Sequence, residues 1–189
     1  TLRDAAGRIL AEDIISARAV PPHDNAAVDG YAVRFEDLSG TGETRLALAG
    51  RIAAGDMADR PVGPGEAIRI FTGAAMPADG DTVLMQEDCR EEDGHVVIPP
   101  GIKKGANRRF AGEDIASGDV ILKAGTKLRP QEIGLAASIG MERLPVYRPV
   151  RVALFSTGDE VRDAGDELPP GCIYDANRYS IAAALERLG

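Results

Sequence analysis

Acidic, hydroxyl and basic residues collect in four short stretches, which are the first candidates for chemistry. The first stretch, residues 21–33, has a double proline followed by two aspartates, an asparagine and Gly30. Asp and Asn side chains bond their own backbone in turns and glycine accepts a positive φ, so a turn with Gly30 at positive φ explains the pattern. The alternative is that Asp29 is a fixed carboxylate that faces a ligand.

The second stretch, residues 71–77, runs from an apolar segment into Thr72 and Gly73. A strand that ends in Thr-Gly offers a hydroxyl and free N–H groups to an anion. The other interpretation is an ordinary strand end and loop.

The third stretch, residues 103–115, places four basic residues close together in an acidic chain of net charge -8. Arginines in a glycine-flanked loop suit phosphate or another anion, so Arg108 and Arg109 are candidates for such contacts. The neighbouring acids Glu113 and Asp114 could orient these arginines, hold a metal ion or cap a turn. A solvated charged loop is the alternative for the whole stretch.

The fourth stretch is Ser156-Thr157-Gly158-Asp159-Glu160, which follows an apolar run, and Asp175 and Asn177 come before a helical pattern. Ligands of open α/β sheets bind beyond the carboxyl ends of the strands. Asp159 and Glu160 are oxygen ligands suited to Mg²⁺. Asp175 or Asn177 could instead cap the helix.

The pattern of apolar residues indicates the elements that must position these stretches. Residues 2–11, 130–139 and 178–188 are predicted helices, and residues 150–155 form a continuous apolar run typical of a buried strand. Between them, short Val-, Ile- and Leu-rich runs separated by turn residues predict an all-β unit rather than a βαβ unit. These predicted strands are 31–34, 44–52, 67–72, 82–86 and 95–98.

The net charge of -8 argues against general binding to nucleic acid or to an anionic membrane. No apolar window is long enough to span a bilayer, and the sequence predicts a cytoplasmic protein. Two distant cysteines without a CxxC pair argue against a zinc site or a disulfide framework.

The order of the motifs carries more information than any one of them. Pro-Pro-x-Asp-Asn-x-Ala-x-Asp-Gly-Tyr-Ala-Val at 21–33 resembles the molybdopterin molybdenumtransferase family, the bacterial MoeA proteins and the related E domain of gephyrin. Further blocks at 70–74, 81–88, 112–115, 133–140, 155–160 and 173–177 follow in that family's order. Blocks in this order over nearly the whole chain make the resemblance specific.

The resemblance implies a multi-domain fold that combines α/β and all-β parts. A β-rich domain at 27–115 is inserted into a helical and extended linking domain formed by 1–26 and 116–147. The first β-α unit of a doubly wound molybdopterin-binding α/β domain then begins at 148. The rest of that domain is expected beyond this chain, so the fragment alone is expected to lack activity.

The resemblance also implies insertion of molybdate into adenylylated molybdopterin with release of AMP, by a cytoplasmic homodimer that uses a divalent cation such as Mg²⁺. The implied catalytic residues are Asp29, Thr72, Asp114 and Glu160, with Asp159 and Glu160 as metal ligands. The implied substrate-binding residues are Arg108, Arg109, Glu113, Ser156, Thr157, Gly158, Asp159 and Asn177.

Two other functions fit parts of the pattern. Gephyrin-like relatives also organise other proteins, so a non-catalytic scaffold is one alternative. The other is the preceding step, adenylyl transfer to molybdopterin, although single-domain adenylyltransferases lack the β-rich segment.

Overall fold

The computed structural model describes residues 1–188, where strands dominate and helices are few. Two compact units divide the chain: unit 2 is the continuous segment 15–121, and unit 1 combines residues 1–14 with the chain from residue 122 onward. The helices are α1 (Leu2–Ala5), α2 (Pro130–Ser138) and α3 (Ala176–Leu188). The strands are β1 (Ile14–Ile15), β2 (Asn25–Ala26), β3 (Gly30–Val33), β4 (Thr44–Ile52), β5 (Glu66–Ile70), β6 (Thr82–Met85), β7 (Arg90–Glu92), β8 (His95–Ile98), β9 (Arg108–Arg109), β10 (Val120–Leu122), β11 (Val161–Arg162) and β12 (Ile173–Tyr174).

Unit 2 is built on a six-stranded sheet of order β6-β3-β5-β4-β8-β7. Strands β4 and β5 run parallel, whereas the other neighbouring pairs are antiparallel. No α-helix lies within residues 15–121, so the expected all-β unit is confirmed even though it contains a parallel pair. The crossover between β4 and β5 is therefore a loop.

Both faces of this sheet bury apolar side chains. One cluster centres on Ile68 and Ile70, and the other on Tyr31, Leu46 and Val96. The alternation of strand side chains sends successive residues of β5 to opposite faces. Loop residues cover both clusters, which explains why strands with apolar residues on both sides are stable here.

Gly30 begins strand β3, and the expectation of a positive φ at this residue is wrong. Its backbone is extended and pairs with Ile70 on β5 and Met85 on β6. A Cβ at this position would lie 1.7 Å from the Leu84 carbonyl oxygen. The close approach of the backbones, rather than a turn, is what requires glycine here.

Two of the predicted helices are confirmed in unit 1, and the third is shorter than predicted. Helix α2 starts with Pro130 in its first turn, and the Glu132 side chain accepts the Arg129 backbone N–H at 2.9 Å. The ion pair with Arg129 holds the pKa of Glu132 at about 2. Helix α1 ends at Ala5 rather than near residue 11, because the backbone becomes extended at Ala6, with a ψ of 132°, and Gly7 then adopts a φ of 78°.

The predicted buried strand at 150–155 is wrong. These residues form no strand, and Val150 and Phe155 are 83% and 78% exposed. Within residues 1–188 no neighbouring strand supplies hydrogen bonds or apolar cover to this run, so its apolar side chains remain in solvent. The predicted start of a doubly wound domain is represented only by the two-residue parallel pair of β11 and β12 and by helix α3.

Helix α3 confirms the predicted helix near the end of the chain, and Asp175 caps it. The Asp175 carboxylate accepts the Arg178 backbone N–H at 3.0 Å. Among residues 1–188, no helix combines the length and apolar character needed to cross a membrane.

Candidate functional site

Asp29 and Thr72, which lie far apart in the sequence, meet in unit 2. One oxygen of the Asp29 carboxylate accepts the Thr72 backbone N–H at 2.8 Å and the Thr72 hydroxyl at 2.7 Å. Hydrogen bonds from Thr72 lower the pKa of Asp29. The backbone N–H makes the largest contribution, and the hydroxyl makes the next largest. The lowered pKa favours the anionic carboxylate, and its other oxygen makes no hydrogen bond within residues 1–188.

Strand geometry explains this meeting. Strand β3 starts one residue after Asp29, and β5 ends two residues before Thr72. Gly30 pairs with Ile70 in the antiparallel register of β3 and β5, so the residues just outside the two strands come together. The Gln86 backbone N–H adds a bond of 3.1 Å to the Asp29 carbonyl.

Residues 24–27 form a short extended segment that lies between two loops. The Ala26 N–H bonds the Ala74 carbonyl at 3.0 Å, and the Gly73 N–H bonds the Ala26 carbonyl at 2.8 Å. On the other side, Asn25 and Ala26 pair with β9 at Arg109 and Arg108. This segment thereby brings the first three motif stretches together in unit 2.

Asp24 belongs to the 21–33 motif but is not among the predicted site residues. Its carboxylate accepts the Arg108 side chain and the Ala111 N–H, the latter at 2.7 Å, and its carbonyl accepts the Met76 N–H at 2.9 Å. The Ala111 N–H is the largest cause of its lowered pKa. The signal that could have found it is an acid three residues after the first proline of the motif, facing a basic loop.

Arg108 and Arg109 point to different acids. Arg108 pairs with Asp24 and stacks on the exposed Phe110, with its Cζ 4.9 Å from the ring centroid. Arg109 pairs with Asp114 at 2.7 Å and with Glu113 at 3.4 Å. Of the alternatives left open for Glu113 and Asp114, the structure contains two: both acids pair with Arg109, and Glu113 also caps a turn by accepting the Phe110 backbone N–H at 3.0 Å.

The fourth stretch lies in unit 1 and is exposed. Ser156, Thr157, Gly158, Asp159 and Glu160 form a loop, and Asn177 is an exposed residue in the first turn of α3. Gly158 has a φ of 138°, and a Cβ there would lie 2.6 Å from a Glu160 carboxylate oxygen, so this acid folds back over the glycine. The Ser156 hydroxyl is the largest cause of a lowered pKa at Asp175.

The fourth stretch also borders a shallow polar cavity of about 260 Å³ in unit 1, lined by Ser156, Gly158, Asp163, Asp175 and Arg178. Within residues 1–188, no three His, Cys, Asp or Glu side chains lie close enough to share a metal ion. Asp159 and Glu160 are two exposed carboxylates, and Mg²⁺ is commonly held by one or two carboxylates, with water and substrate phosphates as its other ligands. The donor set therefore fits part of a magnesium site.

The chain belongs to the MoeA family. Residues 1–140 match the family described as the MoeA N-terminal region, domains I and II. The chain is 43% identical over 188 residues to a molybdopterin molybdenumtransferase of Haemophilus influenzae, covering 99% of this chain and 46% of that protein. It is 42% identical to the enzyme of that name from Nostoc, covering 98% of this chain and 43% of that protein.

Solved structures agree with the sequence matches. A molybdopterin biosynthesis MoeA protein of Pyrococcus horikoshii is similar to the whole chain with a TM-score of 0.88 and 38% identity, over 49% of its own length. Another solved structure, a molybdopterin biosynthesis MoeA protein from Pyrococcus horikoshii OT3, gives a TM-score of 0.91 and 34% identity, with 98% of this chain and 50% of that chain covered. The chain thus spans about half the length of the relatives it matches.

Proposed function

We propose that the whole protein inserts molybdate into adenylylated molybdopterin and releases AMP, and that this chain supplies part of its site. The observation that carries the proposal is the contact of Asp29 with Thr72, which joins two motifs of the family at the neighbouring ends of β3 and β5. The names of the relatives, molybdopterin molybdenumtransferases, support the same reaction.

The proposed roles follow from the donors and acceptors that each residue presents. The second oxygen of Asp29, which makes no hydrogen bond within residues 1–188, accepts a hydrogen bond from the pterin amino group, because a carboxylate is acceptor-only when ionised. The Thr72 hydroxyl keeps that carboxylate in place and adds an acceptor lone pair of its own. Arg109, oriented by Glu113 and Asp114, and Arg108, held by Asp24, present guanidinium edges to phosphate oxygens.

In unit 1, we propose that Glu160 acts at the reacting end of the substrate. Asp159 and Glu160 would together hold Mg²⁺ through their carboxylate oxygens. When bound, the ion neutralises phosphate charge. Ser156, Thr157, Gly158 and Asn177 supply neutral hydrogen-bonding groups to the substrate from the loop and from the first turn of α3.

The domain limits proposed for the whole protein are a β-rich domain at 27–115, a linking domain from 1–26 and 116–147, and a molybdopterin-binding α/β domain that starts at 148. The proposed enzyme is a cytoplasmic homodimer. The match of residues 1–140 to MoeA domains I and II favours this transferase over an adenylyltransferase. No feature of the described residues favours the scaffold alternative, which would need a peptide-binding surface.

The test is rescue of molybdenum-cofactor activity in cells that lack the endogenous transferase, using the full-length parent protein. We expect the parent to rescue, and Asp29→Ala and Glu160→Ala to lose rescue by tenfold or more, about the effect of one lost charged contact. Asp59→Ala and Glu186→Ala are matched controls, because both acids are exposed and neither makes a side-chain bond within the described residues. A well-expressed parent that does not rescue would overturn the proposed function.

A further inference from the structure

Two arginines of the six-stranded sheet lie side by side without acidic partners. Arg51 on β4 and Arg69 on β5 are register partners in the parallel pair, one residue before each strand ends. The other arginines of unit 2 except Arg18 form ion pairs with carboxylates; they are Arg34, Arg45, Arg60, Arg90, Arg108 and Arg109. Neither Arg51 nor Arg69 has a carboxylate oxygen within 4.0 Å in this unit.

An aromatic ring joins the two guanidinium groups. The Arg51 Cζ lies 4.6 Å and the Arg69 Cζ 5.0 Å from the centroid of Phe71. Arg69 also stacks on Tyr31 at 5.0 Å and bonds the Gly30 carbonyl at 3.4 Å and the Gln86 side chain. Four partners therefore hold the Arg69 side chain in place. The Arg51 side chain is exposed and donates no hydrogen bond within residues 1–188.

Like charges directly opposite each other on neighbouring strands destabilise a sheet. Cation–π contact offsets part of that cost but does not neutralise charge. In a chain of net charge -8, two adjacent cations that the protein leaves unpaired indicate that the missing negative charge comes from outside. Guanidinium groups bind oxyanions such as phosphate through paired N–H donors.

The acids near this pair do not occupy it. Asp29 directs one oxygen to Thr72, and Glu87 accepts the Gln86 amide at 3.0 Å. Both carboxylates lie close enough to Arg69 for its charge to contribute to their lowered pKa values, without forming an ion pair with it. Arg51 is therefore the more accessible of the two guanidinium groups, and Arg69 is the one held in a fixed position.

We propose that Arg51 and Arg69, bridged by Phe71, form a subsite for a tetrahedral dianion, the charge and shape shared by phosphate groups and molybdate. The subsite lies at the ends of β4 and β5, next to the Asp29–Thr72 contact. The subsite depends on the proposed function in one respect only, which is whether a phosphate group or molybdate binds there in the whole protein. This arrangement separates a hydrogen-bond-accepting position at Asp29 from an anion-binding position at Arg51.

The test is an NMR titration of the isotope-labelled 189-residue chain with sodium phosphate, and separately with sodium molybdate, at constant ionic strength set by chloride. We expect saturable shifts of the Arg51 and Arg69 side-chain Nε–H signals with a Kd on the order of 1 mM. Comparing the two titrations separates phosphate from molybdate as the preferred dianion.

Arg51→Gln and Arg69→Gln should each weaken binding about tenfold, the effect of losing one charge-assisted contact. Arg51→Gln is the safer variant, since Arg51 is exposed and its loss leaves the Arg69 contacts in place. Arg45→Gln is the matched control, because Arg45 lies on the same strand but pairs with Glu92. It should leave the Kd unchanged.

Shifts that do not saturate with either dianion, or a Kd that Arg51→Gln leaves unchanged in a folded chain, would overturn the subsite. The titration contains no pterin, so its outcome is independent of the rescue experiment. Binding without rescue would refute the proposed function alone, and rescue without binding would refute the subsite alone.

Discussion

At the scale of the residue, two hydrogen-bond donors of Thr72 determine the position and the pKa of the Asp29 carboxylate. A carboxylate that accepts a backbone N–H and a hydroxyl is stabilised in its charged form, and its pKa falls. The backbone N–H at position 72 remains in every variant except proline, whereas the hydroxyl is lost when the side chain is apolar. The two contributions can therefore be separated by mutation.

We expect Thr72→Val to raise the pKa of Asp29 toward its ordinary value, because valine keeps the N–H but removes the hydroxyl donor. A depressed carboxyl pKa stabilises the fold above the unfolded pKa, about 3.9, and this contribution disappears as pH falls through the folded value. The variant should therefore be less stable than the parent near neutral pH, and its free energy of unfolding should change less as the pH falls below ~4. Carbon-detected NMR of the Asp29 carboxyl group and urea unfolding against pH provide the two measurements.

Thr72→Ser is the control, since serine retains the hydroxyl donor. An Asp29 pKa that is the same in the valine and threonine proteins would contradict this account and would assign the shift to the backbone N–H alone.

At the scale of the element, a strand is predictable where its own residues decide it. The runs that became β4 and β8 were predicted with the bounds that the structure has, because turn residues flank a short apolar pattern at both ends. Helix α1 was predicted too long because the backbone leaves the helix at Ala6 and is left-handed at Gly7, which the apolar spacing does not reveal. The apolar run 150–155 has no strand because a strand needs a neighbour, and hydropathy carries no information about neighbours.

The candidate site divides in the same way. The sequence singled out Asp29 and Thr72 individually, since their types and motifs are local features. Their contact depends on the register between β3 and β5, which joins residues distant in sequence. The role of Asp24 was missed because its partners, Arg108 and Ala111, lie in another loop. Nonlocal pairing is therefore what the sequence alone left undetermined.

Gly30 provides the prediction at this scale. Gly30→Ala would place a methyl group 1.7 Å from the Leu84 carbonyl oxygen, so β3 and β6 would have to separate. We expect a loss of stability above about 2 kcal/mol, typical of overpacking against a fixed backbone. Urea unfolding followed by circular dichroism measures it.

Gly50→Ala is the matched control, because Gly50 also lies in a strand of this sheet and a Cβ there meets nothing within 4 Å. We expect it to change stability by less than about 1 kcal/mol. Equal effects of the two substitutions would show that the contact with Leu84 is not what requires glycine at position 30.

At the scale of the whole molecule, the two units differ in how much apolar surface they bury. Unit 2 holds two apolar clusters on the faces of one sheet. In unit 1, the residues from 150 onward leave Val150, Phe155 and Leu188 more than three-quarters exposed. Burial of apolar surface is the main favourable term in folding, so unit 2 is the better candidate for independent stability.

The ends of unit 2 strengthen that expectation. The Ser16 N–H bonds the Asp119 carbonyl at 2.8 Å, and the Gly118 N–H bonds the Ser16 carbonyl at 2.7 Å. Farther in, Val20 and Ile115 form an antiparallel bridge. The chain therefore enters and leaves the unit at adjacent positions, as in a domain that tolerates excision.

We accordingly expect residues 15–121, produced alone, to fold and to keep the Asp29–Thr72 contact, because both cores and all the partners of that contact lie within the segment. The amide spectrum should superimpose on that of the intact chain for β3, β5 and β6, with slow hydrogen exchange in those strands. The same excised segment in concentrated urea serves as the unfolded reference. A collapsed spectrum for the unmutated segment would mean that the sheet depends on residues 1–14 or on the chain after residue 121, and that the two units fold as one.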